Sequence, residues 1–152
     1  MQEFIEWSDA LSVGVTEIDD QHKELIKMIN ELNKAIHGGW GKEARKEVID
    51  KLVEYTRVHF TTEESVMSIA GYPDVEAHKK KHHDLILAVK EYIKKYEQNP
   101  DASSYDLLFF IKKWLTEHII KSDKALGDYL IKKGQKTWGE KRSWFRKLFG
   151  FK

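Results

Sequence analysis

Four stretches of the chain place apolar residues at steps of three and four, the repeat of a helix that buries one face. The first is predicted over about residues 19–37, with Leu25, Ile26, Ile29, Leu32 and Ile36 as its stripe and His22 on the same line. Asp19 or Asp20 is the expected N-cap, and Gly38-Gly39 ends the helix. The second runs over about residues 42–70, its inner face reading Val48, Leu52, Tyr55, His59, Glu63, Val66 and Met67 before Gly71 and Pro73 stop it. The third begins near Asp74 and ends before Asn99-Pro100. Its seam is Val75, His78, His82, Leu85, Val89, Tyr92 and Tyr96, a heptad line in which two histidines stand where leucines are usual. The fourth starts near Ser103 or Ser104 and reaches about residue 133, with Leu107, Ile111, Trp114 and His118 on its stripe.

Four helices joined by short connections pack most simply as an up-down-up-down four-helix bundle, so the chain reads as all-α. Residues 1–18 form an irregular arm, residues 1–138 a single bundle domain, and residues 139–152 a separate basic amphipathic tail. Composition agrees: there are only 2 prolines in 152 residues, and 41% of the chain is hydrophobic. The 26 basic residues nearly balance the 25 acidic ones, so nothing global points to nucleic acid. The absence of cysteine excludes disulfides, thiolate metal sites, iron–sulfur clusters and thiol nucleophiles. The opening residues lack the basic and apolar runs of a signal peptide, and a cytoplasmic location is expected.

Charge chemistry changes the picture where it invades the apolar stripes. His22 comes from the first helix, His59 and Glu63 from the second, His78 and His82 from the third, and His118 with Asp123 from the fourth. Any one of these has an ordinary explanation, such as a hydrogen-bonded core histidine or a surface acid. Together they do not, because burying them without a cation costs several kcal/mol each in desolvation or shifted protonation. A metal cluster needs neutral imidazoles and ionised carboxylates, and so removes that cost.

Residues four apart lie about 40° apart around a helix, so His59/Glu63 and His78/His82 can each address one site. His118 and Asp123, five apart, stand roughly 140° apart in a straight helix. A π-type widening over about residues 119–122 is therefore expected. His83, about 100° around the helix from His82, is expected to face solvent, and His37 to serve the C-terminal dipole of the first helix.

Imidazole and carboxylate together suit iron, zinc, copper or nickel. Seven ligands exceed one tetrahedral zinc site but suit two metals bridged by carboxylates. The Glu-x-x-His pairs of ferritin-like sites and the His-Glu-x-x-His zinc motif are both absent. The site is nitrogen-rich, and two iron ions fit it best.

At this point the residues resemble the hemerythrin family, in its bacteriohemerythrin branch. The resemblance is carried by Ser12-Val13-Gly14-Val15, Ile18-Asp19-Asp20-Gln21-His22, His59-Phe60-Thr61-Thr62-Glu63-Glu64, Gly71-Tyr72-Pro73, His78-Lys79-Lys80-Lys81-His82, and Trp114-Leu115-Thr116-Glu117-His118 followed by Asp123. It spans about residues 4–133. It implies that His78, His82 and His118 hold one iron and His22 and His59 the other. Glu63, Asp123 and a solvent-derived oxo or hydroxo group would bridge them, with molecular oxygen entering at the open position of the two-histidine iron. Leu25, Phe60, Trp114 and Ile119 correspond by offset to residues lining the oxygen pocket, although each also reads as plain core.

The implied function is reversible oxygen binding, for storage or for delivery to an oxygen-consuming enzyme, rather than catalysis. Oxygen or redox sensing, and a peroxidase, ferroxidase or nitric-oxide-handling enzyme, are the rival readings. In the tail, Trp144, Phe145, Leu148 and Phe149 share one helical stripe beside Arg142, Arg146 and Lys147. That pattern suits either a short helix folded back on the bundle or contact with a membrane surface or partner enzyme.

Overall fold

The computed structural model describes residues 3–134, the side chains of 102 and 103 excepted. After an arm containing a 3-10 turn at Asp9–Leu11 come α1 (Thr16–His37), α2 (Lys42–Ala70), α3 (Val75–Gln98) and α4 (Pro100–His118). A π-helical turn, Ile119–Asp123, then joins α4 directly to α5 (Lys124–Gly134), so these three make one continuous fourth rod. Helix α1 packs on α2 and α4, while α3 packs on α4 and α2. With short connections between successive helices, that ring is an up-down-up-down four-helix bundle. No helix among the described residues is long and apolar enough to cross a membrane. The tail assigned above to residues 139–152 lies outside the described residues.

The apolar stripes meet as expected. Ile29, Leu32, Leu52, Val66, Met67, Leu107 and Leu126 are buried in one continuous core, each contributing roughly 1.5–3 kcal/mol by leaving water. Gly71 closes α2 with a left-handed φ of 67°, and the Tyr72 N–H returns to the Met67 carbonyl. His83 and His37 are exposed, the latter edge-on to Tyr105.

Two boundaries differ from the sequence reading. Helix α1 begins at Thr16, three residues early, because Asp19 is not its cap. The Asp19 carboxylate instead accepts the Val13 N–H at 2.8 Å and the Ser12 hydroxyl at 2.5 Å, tying the arm to the helix. Helix α4 begins at Pro100 rather than near Ser103, since proline's fixed φ and missing N–H suit a first helical turn.

The arm is part of the core. Val13 and Val15 are buried, and Asn30 of α1 holds Ile5 as a strand neighbour would. Its side-chain oxygen accepts the Ile5 N–H and its amide donates to the Ile5 carbonyl, each at 2.9 Å. On the other side the arm lies against α5. A Cβ added to Gly127 would fall 2.1 Å from the Val13 carbonyl oxygen. Gly127→Ala should therefore lower stability by about 1–3 kcal/mol despite alanine's better helix propensity. Urea unfolding checks this, and an unchanged or raised midpoint would mean that the arm is not held against α5.

Candidate metal centre

The fourth rod carries His118 at the end of α4 and Asp123 at the end of the π turn. A π turn inserts one residue per turn, which brings two side chains five apart back onto one face. The widening inferred from the His118–Asp123 spacing is present at that place. Both side chains point inward, with His118 Nε2 3.0 Å from Asp123 Oδ1. Lys81 of α3 donates to the Ser122 hydroxyl at 2.9 Å and links the π turn to its neighbour.

All seven sequence-nominated side chains converge in the core, each no more than 5% exposed. They form two overlapping groups. Glu63, His78, His82, His118 and Asp123 make one, and His22, His59, Glu63 and Asp123 make the other. The two carboxylates belong to both. Glu63 Oε1 lies 2.7 Å from His78 Nε2 and 3.1 Å from His82 Nε2, while Glu63 Oε2 lies 3.4 Å from His59 Nε2. Asp123 is divided likewise: Oδ1 is 3.0 Å from His78 Nε2, and Oδ2 is 2.8 Å from His22 Nε2.

Two observations test whether a cation suits this donor set. First, both oxygens of Glu63 and Asp123 and both ring nitrogens of His22 are buried with no aligned hydrogen-bond partner. Groups of this kind are hydrogen-bonded in ordinary cores, and six orphaned polar atoms in one spot would be costly. Second, His118 Nε2 lies 3.2 Å from His78 Nε2 and 3.1 Å from His82 Nε2. Ligand nitrogens about 2.1 Å from one metal and at right angles to each other stand about 3.0 Å apart. The donor set fits metal.

Protonation points the same way. Burial is the largest influence on His59 and lowers its pKa to about 4, so it is a neutral donor. Burial would raise the Asp123 pKa, but His118, His22 and His78 outweigh it and hold this carboxyl well below its usual range. Glu63 is also lowered; burial and Asp123 oppose that, and the close His78 and His82 nitrogens prevail. His78 goes the other way: burial opposes, but Asp123 and Glu63 push it up to about 9. In the metal-free protein a proton on His78 thus supplies positive charge that a metal would otherwise supply.

The rings are held from behind. Phe60 stacks on His82 at a centroid distance of 3.7 Å, and Trp114 on His118 at 4.3 Å. His59 Nδ1 meets the Gln21 side-chain oxygen at 2.5 Å, and His82 Nδ1 meets Glu64 Oε2 at 3.2 Å. Each contact places the N–H on Nδ1 and leaves Nε2 free to ligate. Gln21 and Glu64 stand in segments that carry the family resemblance, but no pattern in the sequence marks their role beyond each being the chain neighbour of a candidate ligand.

Beside the ligands is a cavity of about 20 Å³ lined by Leu25, Ile29, Leu52, Thr56, Phe60, Leu85, Ile111, Trp114 and Leu115. That is room for one water-sized or diatomic molecule. Of the nominated pocket residues, Leu25, Phe60 and Trp114 line it, whereas Ile119 is buried outside the lining. The Thr56 hydroxyl, the one hydroxyl in the lining, donates to the Leu52 carbonyl at 2.7 Å.

Comparison with known proteins follows the same lines. A family model described as "Hemerythrin HHE cation binding domain" matches residues 13–130. A bacteriohemerythrin of Stenotrophomonas maltophilia is 39% identical over 122 residues, covering 80% of this chain and 78% of that protein. One from Methylococcus capsulatus is 36% identical over 112 residues, 74% of this chain and 85% of that protein. The crystal structure of wild-type hemerythrin superposes with a TM-score of 0.74 at 32% identity, covering 84% of this chain and 98% of that one.

Metal uptake should displace the His78 proton. Its pKa is raised from 6.5 to about 9 in the folded metal-free protein, so that proton is bound at pH 7 and is lost as pH rises through about 9. Proton release on loading with zinc(II), followed in unbuffered solution, should therefore fall by about one proton per chain between pH 7 and pH 10. Release that does not change over that range would contradict the assignment.

Proposed function

Because this chain belongs to the hemerythrin family, we propose that it binds molecular oxygen reversibly at a non-haem di-iron centre, for storage or for delivery to oxygen-consuming proteins. The observation that carries the reading is the sharing of Glu63 and Asp123 between two groups of buried imidazoles. His78, His82 and His118 would hold one iron and His22 and His59 the other, with Glu63 and Asp123 as carboxylate donors common to both groups. When bound, the ferrous pair supplies the two electrons that oxygen accepts on binding and returns on release.

The protein's own residues supply the rest. Two histidines on one side against three on the other would leave the first metal with fewer protein donors and room for a small ligand. The neutral imidazoles donate less charge than a carboxylate-rich shell, which disfavours the high oxidation states needed to cleave oxygen. Leu25, Phe60 and Trp114 keep the adjoining cavity apolar and limit water. The Thr56 hydroxyl is already engaged with a backbone carbonyl and offers no free proton. An apolar pocket whose one hydroxyl is already engaged favours release of oxygen over its reduction, and this supports a carrier over an enzyme.

Oxygen uptake by the anaerobically reduced, iron-loaded protein tests the reading. One oxygen should be taken up per iron pair, with a visible band that appears on oxygenation and disappears on purging through repeated cycles. Irreversible oxidation in the first cycle would favour a redox sensor or an enzyme. Trp114→Ala, which removes one wall of the cavity, should accelerate autoxidation several-fold; an unchanged rate in a folded variant would deny Trp114 a protective role.

A further inference from the structure

The two halves of the centre differ in what stands behind their histidines as well as in ligand number. On α2, Glu63 and Glu64 are consecutive and address opposite nitrogens of one ring. Glu63 Oε1 lies 3.1 Å from His82 Nε2, and Glu64 Oε2 lies 3.2 Å from His82 Nδ1. The same ring is pinned flat against Phe60, with 4° between the planes. In the other half, His59 Nδ1 is met by a neutral amide, that of Gln21 on α1. The Nδ1 atom of His22 has no partner.

A carboxylate behind a ligating imidazole draws its N–H, makes the ring a stronger donor and stabilises the higher charge on the metal. An amide oxygen orients the ring equally well with less effect on its basicity. The Glu64 side chain is 30% exposed, whereas His82 is 2% exposed. Its charge therefore acts from the rim of a groove between α2 and α3, bordered by Arg57 and Lys79.

We propose that Glu64 is a positioning residue that strengthens His82 as a donor to the three-histidine iron, that Gln21 is its neutral counterpart on His59, and that this difference makes the two metals electronically unequal. The inference rests on the metal-ligand assignment proposed above, but not on oxygen binding. It gives the three-histidine side the stronger preference for the ferric state and leaves the open side the more easily reduced.

The test is a reciprocal pair of variants, Glu64→Gln and Gln21→Glu, with Glu64→Asp as the conservative rescue. Zinc(II) affinity by chelator competition and the nitrogen chemical shifts of His82 need no iron chemistry; the midpoint potential is read on the iron-loaded protein without oxygen. Glu64→Gln should weaken zinc binding about ten- to a hundredfold, move the His82 Nδ1 resonance and raise the potential. Gln21→Glu should lower the potential, and Glu64→Asp should restore most of the wild-type values. Unchanged affinity, potential and His82 resonance in Glu64→Gln would overturn the proposal. So would potentials that move the same way in both variants, since loosened packing alone would do that. Should Glu64→Gln fail to fold, a Gln21→Glu potential no lower than wild type would overturn it equally. A protein that oxidises irreversibly in oxygen but shows the reciprocal shifts would refute the carrier reading and leave this inference standing.

Discussion

Two carboxylates and five imidazoles share a volume from which water is excluded, and they can do so only around positive charge. Each carboxylate lies close to histidine nitrogens from both halves of the centre, and their oxygens have no aligned hydrogen-bond partner. A proton on His78 provides partial relief; a pair of cations would provide full relief. On this account the part of the bundle near the α2–α3 connection is a ligand cage first and a hydrophobic core second, and metal binding would add to folding free energy rather than decorate a finished fold.

The surrounding architecture serves that cage. Among the described residues its helices are regular where their seams are apolar, and the departure, the π turn at Ile119–Asp123, runs from His118 to Asp123, two of the candidate ligands. A π turn is a weaker backbone arrangement than the α-helix, and its retention at a site is a sign of function. Lys81 and Ser122 brace it from α3, while the N-terminal arm, held by Asn30 and Asp19, packs behind α5 just beyond it. Aromatic faces from Phe60 and Trp114 fix the rings of His82 and His118 and at the same time wall the small apolar cavity. The same side chains thus position the histidine rings and line the cavity.

Much of this was legible in the sequence because polar residues broke a regular apolar repeat. His78 and His82 occupied heptad positions on a seam, and the five-residue step from His118 to Asp123 conflicted with a straight helix strongly enough to locate the π turn. Helix starts were less legible. Asp19 has the composition of an N-cap, but its carboxylate is taken by Ser12 and Val13, an arm contact that no local pattern announces. Gln21 and Glu64 were hidden for a related reason: each sits one residue from a ligand, about 100° around its helix, where periodicity marks a solvent-facing polar residue. The cavity lining draws on all four helices at positions that read as ordinary core, so only packing in three dimensions separates Leu25, which lines it, from Ile119, which does not.

The central claim is that Glu63 and Asp123 bridge two metals within one cage. The most direct measurement is the low-temperature Mössbauer spectrum of the oxidised protein loaded with isotopically enriched iron, with iron quantified per chain. Shared oxygen donors couple neighbouring ferric ions magnetically, so the account predicts two irons per chain and quadrupole doublets without magnetic splitting. One iron per chain, or the magnetically split pattern of isolated high-spin ferric ions, would contradict it.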